Sequence, residues 1–184
     1  EIAKEQYNTY HTINDTLWHL VEAGQRTHAQ VRVERFELFL KYYNIDLNPN
    51  DVAIAYTDNL ALCGNLYPGA EEFCAILHKN YKTALLTNGS SHVQRGRIKA
   101  AGIARYFDGI IISEEVQVKK PDAQIFYLAL QELGGKGRED AKFTLMIGDS
   151  LNADIQGGRN AGMDTCWYNP DKNQNKTSIK PTYT

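Results

Sequence analysis

At 184 residues, with hydrophobic residues at 42% and charged residues at 23%, the chain has the size and composition to bury one ordinary core plus an accessory unit, which excludes a fibrous or disordered protein. A formal net charge of −2 produces no field that would gather a nucleic-acid polymer or an anionic membrane surface. The longest apolar runs, such as "GIIIS", fall well short of the roughly 20 residues that span a bilayer, and the opening "EIAKEQYNTY" has no apolar signal-peptide stretch.

Up to about Leu66 the pattern is helical throughout. Apolar residues recur at helical spacing in "VRVERFELFLKYY", and "NPNDVAIAYTDNLAL" opens with Asn48 as cap and Pro49 in the first turn. Beyond Leu66 short apolar runs alternate with helical segments. "KTALLT" precedes a helix from about Ser91 to Ala101, stopped by Gly102; "GIIIS" precedes a helix from Pro121 to Leu133, stopped by Gly134 and Gly135. "FTLMIG" leads into a helix ending at Ala161 before Gly162, and "TCWY" follows. Strands that alternate with helices predict a parallel sheet with helices on both faces. The expected organisation is a helical unit over residues 1–64 and an α/β core over 65–184, with "NPDKNQNKTS" a polar loop. Cys63, Cys74 and Cys166 lack metal-ligand spacing, which predicts reduced, buried thiols and a cytoplasmic protein.

In such sheets ligands sit outside the carboxyl ends of the strands. "TALLT" ends in Thr87, Asn88 and Gly89, which offer a hydroxyl, an amide and a backbone N–H open to close approach by an anion; an ordinary strand-to-helix turn uses the same residue types. Lys120 stands just before Pro121 at a helix start, the wrong end for the helix dipole, so either a negative group compensates it or it is a solvated surface lysine. "TLMIGDSLNADI" carries Asp149 and Asp154 five residues apart. In a continuous helix that spacing separates them by about 140°, so they converge only if Asp149 sits in the turn and Asp154 begins the helix. Two converging acids repel each other, and a hard cation such as Mg²⁺ relieves the repulsion; carboxylates that merely favour a helix dipole are the alternative.

Together these three stretches resemble the haloacid dehalogenase superfamily, most of whose members are Mg²⁺-dependent phosphatases with a Rossmann-type parallel-sheet core and a helical cap. The resemblance implies that Thr87 in "LLTNG", with Asn88 and Gly89, binds phosphate, and that Lys120 in "VKKPD" neutralises it. It also implies that Asp149 holds the metal directly and Asp154 through water. The family's nucleophile is the first aspartate of D-x-D-x-T at the end of the first strand, which forms an aspartyl-phosphate while the second aspartate handles the proton. No such motif is present: "TINDTLW" has Thr12 and Asn14 in the acidic positions and no apolar strand before it, so Asp15 is expected on a helix surface. By resemblance the missing strand lies between "TALLT" and "FTLMIG". The expectation is therefore a chain that begins within the cap, ends short at "KPTYT" and is inactive as it stands.

The stretches "IN..LW...E.G", "RFE" at Arg35 to Glu37, "LYPGAEEF" and "TCWYN" resemble the bacterial pyrimidine 5′-nucleotidase group, which implies nucleoside monophosphates such as UMP, dUMP and dTMP as substrates. Trp18, Phe36 and Phe39 are expected to fill the core of the cap, Trp167 to lie in a core strand, and His92 is the one histidine placed to touch substrate. The alternatives are a non-catalytic phosphate-binding or interaction protein of the same fold, and a metal-independent haloacid dehalogenase. Oligomeric state is open.

Overall fold

The computed structural model describes residues 3–22 and 24–184. The chain divides into two compact units, Glu1–Leu60 and Ala61–Thr184. Residues 61 to 64, grouped in sequence with the helical part, pack instead with the α/β part. The reason is close approach: a Cβ on Gly96 would lie 2.6 Å from the carbonyl oxygen of Ala61, so only glycine lets the two backbones meet.

The first unit is helical: α1 spans Lys4–Glu22, α2 His28–Tyr42, and α3 Pro49–Ala61 carries the chain into the second unit. Thr27 caps α2 in a reciprocal box, its hydroxyl accepting from the Gln30 N–H (3.2 Å) while its own N–H donates to Gln30 Oε1 (2.8 Å). The inward row of α1 is Ile13, Leu17, Leu20 and Val21, packed on Val31 of α2. Leu17 takes the inward position, so its neighbour Trp18 turns outward and is 38% exposed, contrary to the expectation that it fills the core. Phe36 is buried, and Phe39 packs edge-on against Tyr10. Arg35 is buried too: its guanidinium lies 4.9 Å from the Phe36 ring centre and 4.7 Å from that of Tyr56, and donates to Asn14 Oδ1 at 3.2 Å. Asp15 is on the exposed side of α1.

The second unit alternates α4 (Ala70–Asn80), β1 (Ala84–Thr87), α5 (Ser91–Ala101), β2 (Gly109–Ile112), the single turn α6 (Ser113–Val116), α7 (Ala123–Glu132), β3 (Leu145–Gly148), a π-helical turn (Leu151–Gln156), α8 (Gly157–Ala161) and β4 (Asp164–Trp167). Every strand pair is parallel: Ala84 to Thr87 align with Gly109 to Ile112, and Leu145 to Gly148 with Asp164 to Trp167. The α/β class is as read from the sequence, yet the strands form two separate pairs rather than one continuous sheet. Among the described residues β1 and β3 each keep one edge without a strand partner.

The core centres on α7, whose Ile125 and Phe126 are almost wholly buried and pack with Ile111 of β2, Ala161 of α8 and Met163. Full burial of such side chains contributes about 1.5–3 kcal/mol each. The cysteines form no disulfide, but Cys63 is exposed and Cys74 and Cys166 only half-buried, which corrects the expectation of buried thiols. Cys63 lies in the connection after α3, and α4, which carries Cys74, has no buried residue. No helix among the described residues is long and apolar enough to cross a membrane.

Candidate active site

Thr87 is the last residue of β1, and its hydroxyl accepts a 3.3 Å bond from the Gly89 N–H. Asn88 follows, and its carboxamide is engaged at both ends by one residue: Oδ1 accepts from the Lys120 N–H at 2.8 Å, and Nδ2 donates to the Lys120 carbonyl at 2.9 Å. Lys120 lies in the turn between α6 and α7, two residues before the cap Asp122, and is joined to Pro121 by a cis peptide. Its ammonium donates to the Leu86 carbonyl at 2.9 Å and to Asp154 Oδ1 at 2.7 Å. The negative group that a lysine at this position called for is therefore Asp154.

Asp154 lies in the π-helical turn after β3 and is 4% exposed. Its other oxygen, Oδ2, accepts from the Ser150 N–H at 3.0 Å, and the carboxylate folds directly beneath Gly148. A Cβ on Gly148 would stand 2.3 Å from Asp154 Oδ2, so the glycine that ends β3 leaves the space this carboxylate occupies. The Lys120–Asp154 pair is largely buried, with side chains 10% and 6% exposed. Such a pair is tolerable because each charge has a further polar partner, the Leu86 carbonyl on one side and the Ser150 N–H on the other.

The structure thus joins Asn88, Lys120 and Asp154, from the end of β1, the turn before α7 and the turn after β3, in one hydrogen-bonded group, while Thr87 and Gly89 flank Asn88 in the chain and bond to each other. Asp149 is not bonded into it. It occupies the turn after β3, is exposed, and its carboxylate has no hydrogen-bond or ion-pair partner among the described residues. Its backbone carbonyl is held by the indole N–H of Trp167 at 2.9 Å. His92 is exposed on the first turn of α5.

Sequence reasoning missed the bracing around this group. The Ser91 N–H, first in α5, donates to Glu114 Oε2 at 2.8 Å, the Ser91 hydroxyl donates to Glu115, and Arg95 meets both Glu115 oxygens at 2.6 Å. The Arg95 guanidinium, with help from the Ser91 hydroxyl, holds the Glu115 carboxyl below the usual carboxylate range. The one signal available was the acidic doublet directly after "GIIIS", which reads equally well as a solvated turn.

Residues 4–162 match the haloacid dehalogenase-like hydrolase family. The chain is 35% identical over 181 residues to the pyrimidine 5′-nucleotidase PynA of Streptococcus pneumoniae, across 97% of this chain and 75% of that protein. It is likewise 35% identical over 180 residues to the pyrimidine 5′-nucleotidase YjjG of Escherichia coli, across 98% of this chain and 78% of that one. The magnesium-bound structure of the HAD-hydrolase YfnB from Bacillus subtilis superposes on 100% of this chain, using 79% of its own length, with a TM-score of 0.91 and 34% identity. With a family match over most of its length and relatives above 30% identity along nearly all of it, the chain belongs to the haloacid dehalogenase-like hydrolases.

Proposed function

We propose that this chain carries the phosphate- and metal-handling groups of a phosphomonoester hydrolase whose substrates are nucleoside 5′-monophosphates, pyrimidine nucleotides such as UMP and dTMP foremost. The observation that carries the reading is the Lys120 ammonium, fixed at the end of β1 between the Leu86 carbonyl and Asp154. A phosphate monoester bound there would meet that ammonium, the Thr87 hydroxyl and the backbone N–H groups of Asn88 and Gly89. Positive groups already fixed in place stabilise charge on phosphoryl oxygens without reorganising during transfer. The likeness to PynA and YjjG supports the pyrimidine class. Three cysteines outside any disulfide are in keeping with a reducing, cytoplasmic setting.

Asp149, whose exposed carboxylate has no polar partner among the described residues, has the chemistry to bind Mg²⁺ directly, whereas Asp154 is already committed to Lys120 and Ser150 and fits an outer place, through water. No group of three or more His, Cys, Asp or Glu able to hold a metal occurs among the described residues, and a Mg²⁺ site typically makes up its shell from waters and substrate oxygens. When bound, Mg²⁺ would neutralise charge on the phosphoryl group. Attack on phosphorus requires a carboxylate nucleophile. The reading assigns it to an aspartate ending a strand that pairs the open edges of β1 and β3, a place no described aspartate holds.

The test is phosphate release from UMP, dTMP, AMP and GMP with Mg²⁺, by the chain alone and with an added strand peptide bearing D-x-D-x-T. We expect no turnover alone, and Mg²⁺-dependent turnover with the peptide that favours the pyrimidine nucleotides. Hydrolysis by the chain alone would refute the placement of the nucleophile. Equal rates on all four nucleotides would refute the pyrimidine class.

A further inference from the structure

We propose that Asn88 is a positioning residue: its carboxamide serves Lys120 rather than the phosphate, and by clamping the Lys120 backbone it aims the ammonium. The inference rests on the reading that Lys120 meets the phosphate.

Lys120 lies in a turn, outside any helix or strand that would orient its backbone. A lysine side chain with an unfixed root sweeps a wide volume, because its four-carbon stem rotates freely. Here the root is held at both of its hydrogen-bonding groups by one side chain, with Asn88 accepting from the N–H at 2.8 Å and donating to the carbonyl at 2.9 Å. The tip is held by the Leu86 carbonyl. Leu86 lies one residue before Thr87, which ends β1, and Asn88 comes one residue after it, so the end of β1 grips Lys120 at root and tip on either side of the threonine read as phosphate-binding. A carboxamide offers its acceptor and its donor on two separate atoms, side by side, which suits the paired N–H and carbonyl of one residue. Aspartate keeps the first bond and loses the second; alanine loses both. With both ends engaged on Lys120, the Asn88 side chain is oriented by that residue, and the contribution proposed for it to an anion is its backbone N–H.

The experiment uses the full chain with lysine labelled at ¹³Cε, and inorganic phosphate as the probe. The Lys120 signal is identified by its loss in Lys120→Met. A lysine held in one conformation shows two distinct Hε shifts, and a freely rotating one shows a single averaged shift. We expect two Hε shifts for Lys120 in the parent, their merging in Asn88→Ala, and a reduced splitting in Asn88→Asp, which keeps one of the two bonds should the alanine variant fail to fold. Phosphate affinity measured by calorimetry should fall about tenfold in Asn88→Ala, the loss of two neutral hydrogen bonds acting through one partner. Asn88→Ala combined with Lys120→Met should bind no more weakly than Lys120→Met alone. Unchanged Lys120 shifts in Asn88→Ala and Asn88→Asp would overturn the inference. So would losses that add in the double variant, because Asn88 would then contact phosphate itself. If the parent binds no phosphate while the Hε splitting still collapses without Asn88, the clamp stands and the phosphate reading alone fails.

Discussion

The indole N–H of Trp167 donates to the backbone carbonyl of Asp149 across 2.9 Å, tying the end of β4 to the turn that follows β3. The bond fixes the backbone from which the exposed Asp149 carboxylate projects. Trp167→Phe keeps the ring and removes the donor, and we expect Mg²⁺ affinity to fall about tenfold, as when an outer partner of a metal ligand is lost. Stability should drop by only about 1 kcal/mol. Asp149→Ala should abolish Mg²⁺ binding. Calorimetric titration of the three proteins with Mg²⁺ checks both statements, and unchanged affinity in Asp149→Ala would remove it from the metal site.

Removing one partner of the Lys120–Asp154 pair leaves a buried charge without its counter-ion. Asp154→Leu should cost about 3–5 kcal/mol in urea unfolding, and Lys120→Met somewhat less, because Asp154 retains the Ser150 N–H. The double variant should be more stable than the sum of the single losses implies. Additive losses would mean that the two charges do not depend on each other.

Lys119 precedes Lys120 and is exposed. In the strand-complemented protein Lys120→Met should lower kcat/KM by about 10²- to 10³-fold, the loss typical of one preorganised electrostatic group, while Lys119→Met stays near the parent rate. Equal effects of the two substitutions would make the ammonium's fixed place irrelevant to the reaction.

Asp108 is held down to about 2, first by its hydrogen bond to Lys82 and next by the Thr83 N–H. Its value in the folded chain lies below the unfolded one, so its stabilising contribution is complete above the unfolded value, about 3.9, and is lost as pH falls through the folded value. Carbon-detected titration of the Asp108 carboxyl should give a midpoint near 2. Lys82→Met should raise it towards the ordinary aspartate range. A midpoint unmoved by that substitution would assign the shift to the Thr83 N–H instead.

Turn chemistry and charge alone left Thr87, Lys120, Asp149 and Asp154 open to ordinary structural roles, and it was the resemblance of the three strand-end stretches to a family that singled them out together. How they relate was less legible. Spacing put the two aspartates in a turn and a helix but carried no sign that Asp154 would turn inward to Lys120 while Asp149 stays outside, because that choice is made by a partner 34 residues away. The Asn88 clamp spans 32 residues and uses backbone groups of Lys120 that no pattern of side chains encodes. Helical periodicity placed α1 but allowed either Leu17 or Trp18 to face inward, and packing on Val31 decided it.

The open edge of β3 bears on how the protein behaves in solution. Leu145 and Ile147 of that strand are 46% and 37% exposed, Phe143 just before it is 81% exposed, and none of the three brings a charge or a proline to blunt the edge. A strand edge of this kind accepts any extended segment of suitable register, including one from another copy of the same chain. Self-association should therefore rise steeply with concentration, and Ile147→Lys should raise the concentration at which it begins.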